Sequence, residues 1–498
     1  MKHLSELPDA HLRIFERPEL PPPDEIESVH LVGVCGTGMG SLAGLLVEAG
    51  YHVRGSDENC YPPMSTRIEE MGIELLEGFD PAHLDPEPDL VVVGNACTPT
   101  HPEAAHAREH HMTQVSFPEA LSHFFLTGRR SLVVAGTHGK TTTTGMLVHV
   151  LREAGLDPGF LVGGVMLNGN VSYGLGTGPH FVVEGDEYDS AYFDKRPKMM
   201  HYQPAGAVVT SMEFDHADIY SDWKDYRDAF RRFARLVDAD GLVVLNGEDA
   251  NVRALEDHTR GRVRYIGLDP SWCDVAATSV HPVEGGERFT LVVDGTEQAD
   301  VFLPMSGYHN VLNALAVCAL ALDEGVSPEQ LATGFASFKG LRRRQEVRAK
   351  AAGVIVIDDF AHHPTAVRKT IESIAARWPN RRIVAVFEPR SNSSRRKVFE
   401  VPYGNAFDAA DYAFISSPPL RHNDDADAML DVTRVVEMIE AAGTPASAYE
   451  NAEALLPPLL NELRPGDVAL IMSNGSFGGI HDKLIASLEM REQTSLHG

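Results

Sequence analysis

The sequence predicts an α/β protein of three domains, each built around a largely parallel sheet. Short apolar runs alternate with helical stretches along most of the chain, as expected where helices cover a parallel sheet. This alternation restarts near Gly128 and again near the stretch FKGLRRRQEV. The length of 498 residues suits two to four domains at roughly 100–200 residues each. We place the domains at residues 28–128, 129–339 and 340–490.

The first domain is predicted to be Rossmann-like, because a glycine-rich turn joins its first strand to its first helix. The turn reads GTGMGS from Gly36 to Ser41, which is similar to G-x-G-x-x-G but has serine at the third glycine. Asp57 follows at about the spacing of a ribose-binding acid. The pattern indicates a pyrophosphate at a helix start, and a dinucleotide or a UDP-linked ligand would satisfy it equally well. Elements are predicted at Leu31–Val34, Met39–Ala49, His52–Arg54 and Leu90–Val93.

The central domain opens with the stretch VVAGTHGKTTTT, which predicts a phosphate-binding loop of the P-loop type. The loop lies between a predicted strand, Leu132–Ala135, and a predicted helix, Lys140–Ala154. The usual first glycine is replaced by Val134, which we assign to the strand that feeds a shortened loop. Backbone N–H groups at the helix start would bind phosphate, Lys140 would reach its outer oxygens, and Thr141 would bind Mg²⁺.

Carboxylates and a histidine follow two later strands of the central domain. Glu184 ends a strand, and Asp186, Glu187 and Asp189 crowd the positions after it, which predicts either a bound cation or a solvated loop. His216 follows another strand end, so a magnesium–nucleotide centre is indicated, although histidine is an unusual ligand for Mg²⁺. Further elements are predicted at Phe181–Glu184, Ala207–Thr210, Leu242–Leu245, a β-rich stretch at 262–303, Asn310–Asp323 and Pro328–Ser337.

The third domain again alternates strand and helix and is also predicted to be Rossmann-like. Just before it, Asn310 and Asn313 share a helix face, where they would read an adenine edge or act as a cap and a surface residue. Arg344 suits a transferring phosphoryl group, and Asp359 follows a strand end, where open α/β sheets contact ligands. Elements are predicted at Val354–Ile357, Pro364–Arg377, Ile383–Phe387, Asp411–Ile415, Ala426–Ala441, Val468–Met472 and Phe477–Glu489.

Composition narrows the class of protein and its compartment. The net charge of −28 argues against general binding of nucleic acid, which needs a cationic surface. Five cysteines without a C-x-x-C pair fit free thiols in a reducing compartment. Residues 1–27 lack the pattern of a signal peptide, and the chain lacks an apolar run of about 18 residues. We therefore expect a cytoplasmic protein without membrane insertion.

Taken in order, these motifs resemble the Mur ligase family, the ATP-dependent amide-forming enzymes of peptidoglycan synthesis. The resemblance spans about residues 28–488 and is carried by GTHGKTTTT, EGDEYD, EFDHADIY, GYHNVLNALA, the RRR run and DDFAHHPTAV. It implies three domains that bind, in turn, a UDP-sugar, ATP and the incoming amino compound. It also implies ATP and Mg²⁺ as cofactors, and a phosphate loop that normally lacks the first glycine.

The resemblance implies a set of functional residues, each carried over from a matching motif. The implied catalytic residues are Lys140, Glu184, His216, Arg344 and His362. The residues implied to bind ATP are Gly136, Thr137, His138, Gly139, Lys140, Thr141, Thr142, Asn310, Asn313, Arg344 and Asp359, and those implied to bind Mg²⁺ are Thr141, Glu184 and His216. The residues implied to bind the substrates are Gly36, Thr37, Gly38, Met39, Asp57, Asn95, His362 and Arg390. Arg390 and Arg395 would grip peptide carboxylates or, alternatively, form surface charges after a strand.

Two members of the family share these motifs. One joins L-alanine to UDP-N-acetylmuramate, and the other joins the murein tripeptide L-alanyl-γ-D-glutamyl-meso-diaminopimelate to it during peptidoglycan recycling. The stretch EGDEYD and the following SAYFDKRPKMMHYQP favour the tripeptide ligase. Two departures stand out: Ser211 replaces the usual asparagine before xExDH, and the stretch WKDYRDAFRRF has no lysine at the position that would align with the carbamylated lysine of some siblings.

The implied reaction has two steps. ATP phosphorylates the lactyl carboxylate of the nucleotide sugar, and the peptide amine then attacks the acyl phosphate and releases phosphate. Two other classes stay open at this point. A nicotinamide-dependent oxidoreductase would use the first glycine-rich turn but leaves the phosphate loop and Glu184 unexplained. A nucleotide-binding regulator would have no use for the third domain.

Overall fold

Backbone contacts divide the protein into two compact units. The structure is a computed structural model that describes residues 3–7, 9–58, 60, 64–216, 219–418 and 428–497. The first unit comprises Met1–Ala276, Val292–Ala299 and Leu315–Gly334, and the second comprises Ala277–Leu291, Asp300–Ala314 and Phe335–Gly498. The predicted α/β class is confirmed, and the three predicted domain boundaries stay a prediction.

The N-terminal part of the first unit is a five-stranded parallel sheet in the order β3-β2-β1-β4-β5. The strands are β1 (Ser28–Val32), β2 (His52–Asp57), β3 (Glu74–Glu77), β4 (Leu90–Val93) and β5 (Gln114–Ser116). The helices are α1 (Ala10–Arg13), α2 (Thr37–Glu48), α3 (Met64–Glu70), α4 (Pro102–Glu109) and α5 (Phe117–Leu121). The order reverses between β1 and β4, and ligands of such sheets bind beyond the carboxyl ends of the strands at this point.

The central part of the first unit is a larger sheet with β14-β13-β12-β6-β9-β7-β8 as neighbours, parallel except for β8. Its strands are β6 (Arg130–Ala135), β7 (Gly159–Met166), β8 (Val171–Gly174), β9 (His180–Gly185), β12 (Gly206–Val209), β13 (Leu242–Asn246) and β14 (Arg262–Gly267). A separate hairpin pairs β10 (Asp189–Ala191) with β11 (Asp194–Pro197). The helices are α6 (Lys140–Glu153), α7 (Trp223–Ala234) and α8 (Ala250–Arg253).

Several elements are divided between the two units along their length. They are β15 (Val275–Val283), β16 (Gly286–Val293), β17 (Thr296–Leu303), α9 (Tyr308–Asp323) and α10 (Pro328–Ser337). These elements confirm the predicted β-rich stretch and the two helices that were predicted after it.

The second unit contains a six-stranded sheet in the order β18-β19-β23-β20-β21-β22, parallel except for β18. The strands are β18 (Glu346–Ala351), β19 (Val354–Asp359), β20 (Ile383–Glu388), β21 (Tyr412–Ser416), β22 (Ala446–Tyr449) and β23 (Val468–Ser473). The helices are α11 (Pro364–Arg377), α12 (Glu400–Gly404), α13 (Val432–Ala442), α14 (Ala452–Glu462) and α15 (Ile480–His497).

Four helices of the second unit differ from prediction, since α12 and α14 were not predicted and α13 and α15 have other bounds. The helix predicted to begin at Ala426 begins at Val432, because the Asp431 carboxylate accepts the first backbone N–H groups and caps it there. Residues 426 and 427 lie outside the described residues. Helix α14 was not predicted, and it contains Pro457 and Pro458, which usually mark the end of a helix.

Short helical turns complete the described chain. They are 3₁₀ turns at Leu4–Glu6, Pro23–Glu25, Pro81–Leu84, Lys198–His201, Glu256–His258, Lys397–Phe399 and Phe477–Gly479, and a π turn at Ser122–Leu126. Among the described residues, no helix combines the length and the apolar character that crossing a membrane requires.

Candidate functional site

The phosphate-binding loop is shaped by two glycines in conformations that other residues rarely adopt. Gly136 and Gly139 have φ angles of 132° and 83°. A Cβ on Gly136 would lie 2.1 Å from Thr210 Oγ1. Gly139 is the N-cap of α6, so the first N–H groups of that helix point away from it towards a phosphate position. Val134 is buried inside β6, which confirms the prediction of a shortened loop.

Hydrogen bonds of Ser211 and Thr137 hold the phosphate-binding loop in place. The backbone N–H groups of Thr137 and His138 donate to the carbonyl and the hydroxyl of Ser211, each at 3.0 Å. Thr137 Oγ1 donates to the Glu213 carbonyl at 3.0 Å and lies 2.8 Å from the Tyr226 hydroxyl. The carbonyl and the hydroxyl of Ser211 therefore both accept hydrogen bonds from the backbone of the loop. The assignment of Thr137 and His138 to ATP stays a prediction, and both N–H groups are committed to Ser211 in this structure.

A buried acid, Glu187, joins two of the predicted catalytic residues. Lys140 Nζ donates to Glu187 Oε2 and to the Gly136 carbonyl, each at 2.7 Å. His216 Nε2 lies 3.2 Å from the other oxygen, Glu187 Oε1. Burial opposes the charge on Lys140, but the carboxylates of Glu187 and Asp186 outweigh it and raise the pKa of Lys140. The sequence indicates Glu187 only as one of several crowded acids, and its contacts with Lys140 and His216 require the folded structure.

His216 is held as a cation and in a strained backbone conformation. Burial alone would lower the pKa of His216, but the hydrogen bond and charge of Glu187 raise it to about 9. Its φ is 53°, in the left-handed region that non-glycine residues seldom occupy. As a metal ligand His216 would first have to lose its proton, because only neutral imidazole coordinates metal.

Thr141 and Glu184 lie together at the start of α6. Thr141 Oγ1 donates to Glu184 Oε2 at 3.0 Å, and the Gly163 N–H donates to Glu184 Oε1 at 2.5 Å. Burial, followed by the charge of Asp186, raises the pKa of Glu184 to about 6. A buried hydroxyl and carboxylate beside a second acid fit Mg²⁺, which prefers oxygen ligands and would offset this negative charge. Thr142, in the same first turn, is also buried.

The predicted nucleotide-sugar residues gather at the carboxyl edge of the N-terminal sheet. Gly36 is the N-cap of α2, and Thr37 and Gly38 begin that helix. Asp57 ends β2, and its Oδ2 accepts the Cys35 N–H at 3.0 Å, so this acid braces the turn itself. The remaining two are Asn95, half-buried just after β4, and Met39, which is 7% exposed and packs in the apolar core.

A disulfide corrects the expectation that all five cysteines are free thiols. Cys35, directly before the glycine-rich turn, is bonded to Cys60, in the loop after β2, with their Cα atoms 5.5 Å apart. The spacing of 25 residues gave no sign of this pair, because folding of β1 and β2 side by side brings the two loops together. Cys97, Cys273 and Cys318 are free and buried, as expected.

Asn310 and Asn313 are both buried, which excludes the alternative of a surface asparagine. Asn310 Nδ2 donates to the Ser306 carbonyl at 2.8 Å. Asn313 Nδ2 donates to Asn310 Oδ1 at 3.3 Å. The two amides therefore form a chain anchored to the backbone at the start of α9. The assignment of the two amides to adenine stays a prediction.

Arg344 lies just before β18 of the C-terminal sheet, and Asp359 lies at the end of β19 in the same sheet. Asp359, at the end of β19, accepts the N–H groups of Gln345 and Ala361, each at 2.8 Å. Burial raises the pKa of Asp359, although Arg344 opposes the rise. The Arg344 guanidinium lies 4.9 Å from the centre of the Phe360 ring. Asp359 thus connects the backbone next to Arg344, at Gln345, with the turn that follows β19, at Ala361.

The remaining predicted substrate residues follow strands of the second unit. His362 is half-buried, and its Nδ1 lies 3.1 Å from the Phe360 carbonyl. The Arg390 side chain is 40% exposed and packs over Gly475, where a Cβ would lie 2.2 Å from Arg390 Cδ. Arg395 is 2% exposed, so the alternative of a surface charge is wrong for this residue.

Three family sequence profiles match consecutive parts of the chain. "Mur ligase family, catalytic domain" matches residues 28–129, "Mur ligase middle domain" matches 134–321, and "Mur ligase, glutamate ligase domain" matches 343–475. The Escherichia coli UDP-N-acetylmuramate–L-alanyl-γ-D-glutamyl-meso-2,6-diaminoheptandioate ligase is 38% identical over 94% of this chain and 99% of its own length. The chain belongs to the Mur ligase family.

Other Mur ligases give the range of likeness. The UDP-N-acetylmuramate–L-alanine ligase of Chlorobaculum parvum is 33% identical over 90% of this chain and 93% of its own length. The solved structure of a murein peptide ligase from Psychrobacter arcticus superposes with a TM-score of 0.71 at 33% identity, and covers 93% of this chain and 99% of that one. These comparisons confirm the family resemblance inferred from the motifs.

Proposed function

We propose that this Mur ligase joins the tripeptide L-alanyl-γ-D-glutamyl-meso-diaminopimelate to UDP-N-acetylmuramate, with cleavage of ATP to ADP and phosphate. The observation that carries the proposal is the contact of Thr141 Oγ1 with Glu184 Oε2 at 3.0 Å beneath the glycine-bent loop. This pair joins the phosphate loop to the acid best suited to hold Mg²⁺. The names of the Escherichia coli and Psychrobacter arcticus relatives support the tripeptide as the acceptor.

The proposed reaction consists of a phosphoryl transfer followed by an acyl transfer. The γ-phosphoryl group of ATP moves to an oxygen of the lactyl carboxylate, and ADP leaves. The peptide amine then forms a bond to the acyl carbon, the carbon–oxygen bond to phosphate breaks, and the amine loses a proton. Phosphorylation is needed because a carboxylate in water is a poor electrophile. Both steps depend on neutralising charge and holding the reactants in place.

Residues of the chain would neutralise most of the negative charge on the phosphate groups. Lys140 would release Glu187 and bind the outer phosphate oxygens, and the N–H groups at the start of α6 would bind the inner ones. Arg344 would bind the transferring phosphoryl group. Mg²⁺, held by Thr141, Glu184 and a neutral His216, would supply further positive charge to the phosphate oxygens. Asn310 and Asn313 would hold the adenine.

The substrates would be bound by residues of the N-terminal sheet and of the C-terminal sheet. The helix start at Gly36 and Thr37 suits the diphosphate of the nucleotide sugar, with Asp57 and Asn95 at neighbouring strand ends. His362 would orient or deprotonate the peptide amine, and Arg390 would bind a peptide carboxylate. We place the reaction in the cytoplasm, where ATP is available.

The proposal is tested by the acceptor requirement for ADP release. With ATP, Mg²⁺ and UDP-N-acetylmuramate present, the tripeptide should give ADP at least about tenfold faster than L-alanine if it is the acceptor, as we propose. A preference for L-alanine would instead identify an alanine ligase of de novo synthesis. Nucleotide binding without turnover on any amine would indicate a regulator.

A further inference from the structure

A buried lysine pairs with Asp186, in the acidic segment after Glu184, and has no part in the reaction as described so far. Lys198 opens the 3₁₀ turn Lys198–His201, directly after the β10–β11 hairpin, and its side chain is 11% exposed. The Lys198 N–H donates to the Tyr188 carbonyl at 3.1 Å, and the Met199 N–H donates to the Asp186 carbonyl at 3.1 Å. The backbone thus holds Lys198 next to the acidic segment.

The Lys198 ammonium lies against two aromatic rings. Its Nζ is 4.2 Å from the centre of the Tyr188 ring and 4.9 Å from that of Phe117. Phe117 in turn packs behind the glycine-rich turn, because a Cβ on Gly38 would lie 3.5 Å from the Phe117 ring. Aromatic faces attract a cation without accepting its hydrogen bonds in the usual way, so donors remain for an anion.

The polar partners of Lys198 use only part of its capacity. Nζ lies 3.2 Å from the Tyr188 hydroxyl and 3.5 Å from Asp186 Oδ2. Within the described ranges these are its two oxygen partners, and an ammonium carries three N–H donors. The contact with Asp186 is also longer than the 2.7 Å between Lys140 and Glu187. Lys198 is therefore a loosely held cation.

We propose that Lys198 binds the carboxylate of the nucleotide sugar and positions it for phosphorylation. This inference rests on the proposed function. The acids Glu184, Asp186 and Glu187 would repel an incoming carboxylate, so a cation is needed on the substrate side of this segment. Lys198 pairs with Asp186 at 3.5 Å, and the next residue, Glu187, pairs with Lys140 of the phosphate loop at 2.7 Å, which links Lys198 to that loop through two adjacent acids.

A purely structural role is the competing explanation. In that case Lys198 balances the charge of Asp186, much as Lys195 of the preceding hairpin pairs with Asp189. The two explanations differ in which ligand is affected. Loss of charge balance would disturb the acids at the phosphate loop and hence ATP, whereas loss of a carboxylate contact would disturb the nucleotide sugar alone.

The first experiment compares Michaelis constants of the full-length enzyme. Lys198→Gln should raise KM for UDP-N-acetylmuramate about tenfold, with KM for ATP within about twofold of wild type. Lys198→Arg should recover most of the loss, because it keeps the charge. Lys195→Gln is the matched control and should leave both constants near wild type. Equal increases for both substrates, or no increase, would overturn the inference.

A charge-balanced variant separates the two explanations further. Asp186→Asn combined with Lys198→Gln removes both charges of the ion pair. If Lys198 serves only to balance Asp186, Lys198→Gln raises KM for ATP and the double variant returns it to the wild-type value, and the inference fails. If Lys198 contacts the substrate, KM for UDP-N-acetylmuramate in the double variant stays above that of Asp186→Asn alone.

Binding without turnover tests Lys198 independently of the reaction. UDP-N-acetylglucosamine lacks the lactyl carboxylate but shares the rest of the nucleotide sugar. Wild type should bind UDP-N-acetylmuramate more tightly, and Lys198→Gln should lose most of that preference in calorimetric titration. A preference unchanged in the variant contradicts this inference alone. Tight binding of UDP-N-acetylmuramate by a wild-type protein that never releases ADP contradicts the proposed function instead.

Discussion

The Lys140 ammonium lies 2.7 Å from the Glu187 carboxylate, which is 1% exposed. Glu187 also contacts His216, so one buried acid restrains two residues assigned to catalysis. Nucleotide phosphates need the same positive charge on Lys140. Binding of ATP by Lys140, as proposed, would therefore exchange a protein carboxylate for phosphate oxygens, so Glu187 would both set the resting position of Lys140 and compete with the ligand.

We expect Glu187→Gln to lower the stability of the ligand-free protein and to increase the stabilisation that ATP provides. Without the carboxylate, the buried charge of Lys140 loses its counterion, which should cost about 2 kcal/mol of unfolding free energy. Added Mg-ATP supplies a replacement anion and no longer meets a competitor. The rise in melting temperature on adding ATP should therefore be larger for Glu187→Gln than for wild type, measured by differential scanning fluorimetry.

Asp189→Asn provides the control for that measurement. Asp189 pairs with the lysine of its own hairpin, Lys195, and not with Lys140. Its loss should leave the ATP-dependent rise in melting temperature at the wild-type value. An equal rise for Glu187→Gln and wild type would show that Glu187 does not compete with the nucleotide.

Lys140→Ala should abolish most ligation while the fold is retained. The lysine is the first residue of α6, directly after the glycine loop, and loss of one such charge typically lowers the rate on the order of 10²–10³-fold. Glu187 keeps His216 as a partner in this variant, so the buried acid is not left alone. Circular dichroism should match wild type, and ADP release should fall by that factor. Full activity in this variant would contradict the assigned role of the loop.

The sequence alone predicted the parts of the site that lie close together along the chain. Lys140 and Thr141 follow Gly139 in a strand–loop–helix setting, so their position at a helix start could be inferred from spacing. Val134 could be placed in its strand for the same reason. Glu184 was placed by the strand it ends, because parallel strands bring their carboxyl ends to one edge.

Other features depend on contacts that spacing does not encode. Glu187 lies only three positions after Glu184, yet it faces Lys140 and His216 because the chain turns after β9. The burial of Asn310 and Asn313 follows from packing around α9, which a helical pattern of polar residues did not reveal. The role of Ser211 as an acceptor for the loop backbone also required the folded geometry.

Glu184→Gln should make the metal-free protein more stable at neutral pH. The pKa of Glu184 rises from its ordinary value of 4.5 to about 6 on folding. The folded state therefore holds this proton more tightly, and the stability that Glu184 contributes below pH 4.5 is lost as pH rises through 6. Glutamine does not ionise and avoids the loss. The variant should gain about 2 kcal/mol relative to wild type between pH 4.5 and 7.5.

Urea unfolding in the presence of a chelator at both pH values measures this gain. Glu324→Gln is the opposite control. Burial opposes ionisation of Glu324, but hydrogen bonds from His180 and Arg130 prevail and hold its pKa at about 2. Its stabilising effect is present above pH 4.5, so Glu324→Gln should lose stability at neutral pH. A gain for Glu184→Gln that does not depend on pH would contradict the ionisation argument.

The cysteine pairing predicts a defined count of reactive thiols. Cys97, Cys273 and Cys318 are buried, and burial raises the pKa of Cys97 to about 12 and that of Cys273 to about 11. Since the thiolate is the reactive form, all three should react slowly with iodoacetamide in the native protein at neutral pH. Cys35 and Cys60 should not react before reduction, because they are bonded to each other.

Mass spectrometry after alkylation distinguishes these groups. Protein unfolded without reductant should carry three labels, and protein unfolded after reduction should carry five. Cys60→Ser should carry four labels in both cases, because it frees Cys35 and removes its partner. Opening the pair also unties the glycine-rich turn from the loop after β2, so reduction should lower the affinity for UDP-N-acetylmuramate in wild type but not in Cys60→Ser. Five labels on unreduced wild type would show that the two thiols are separate in solution.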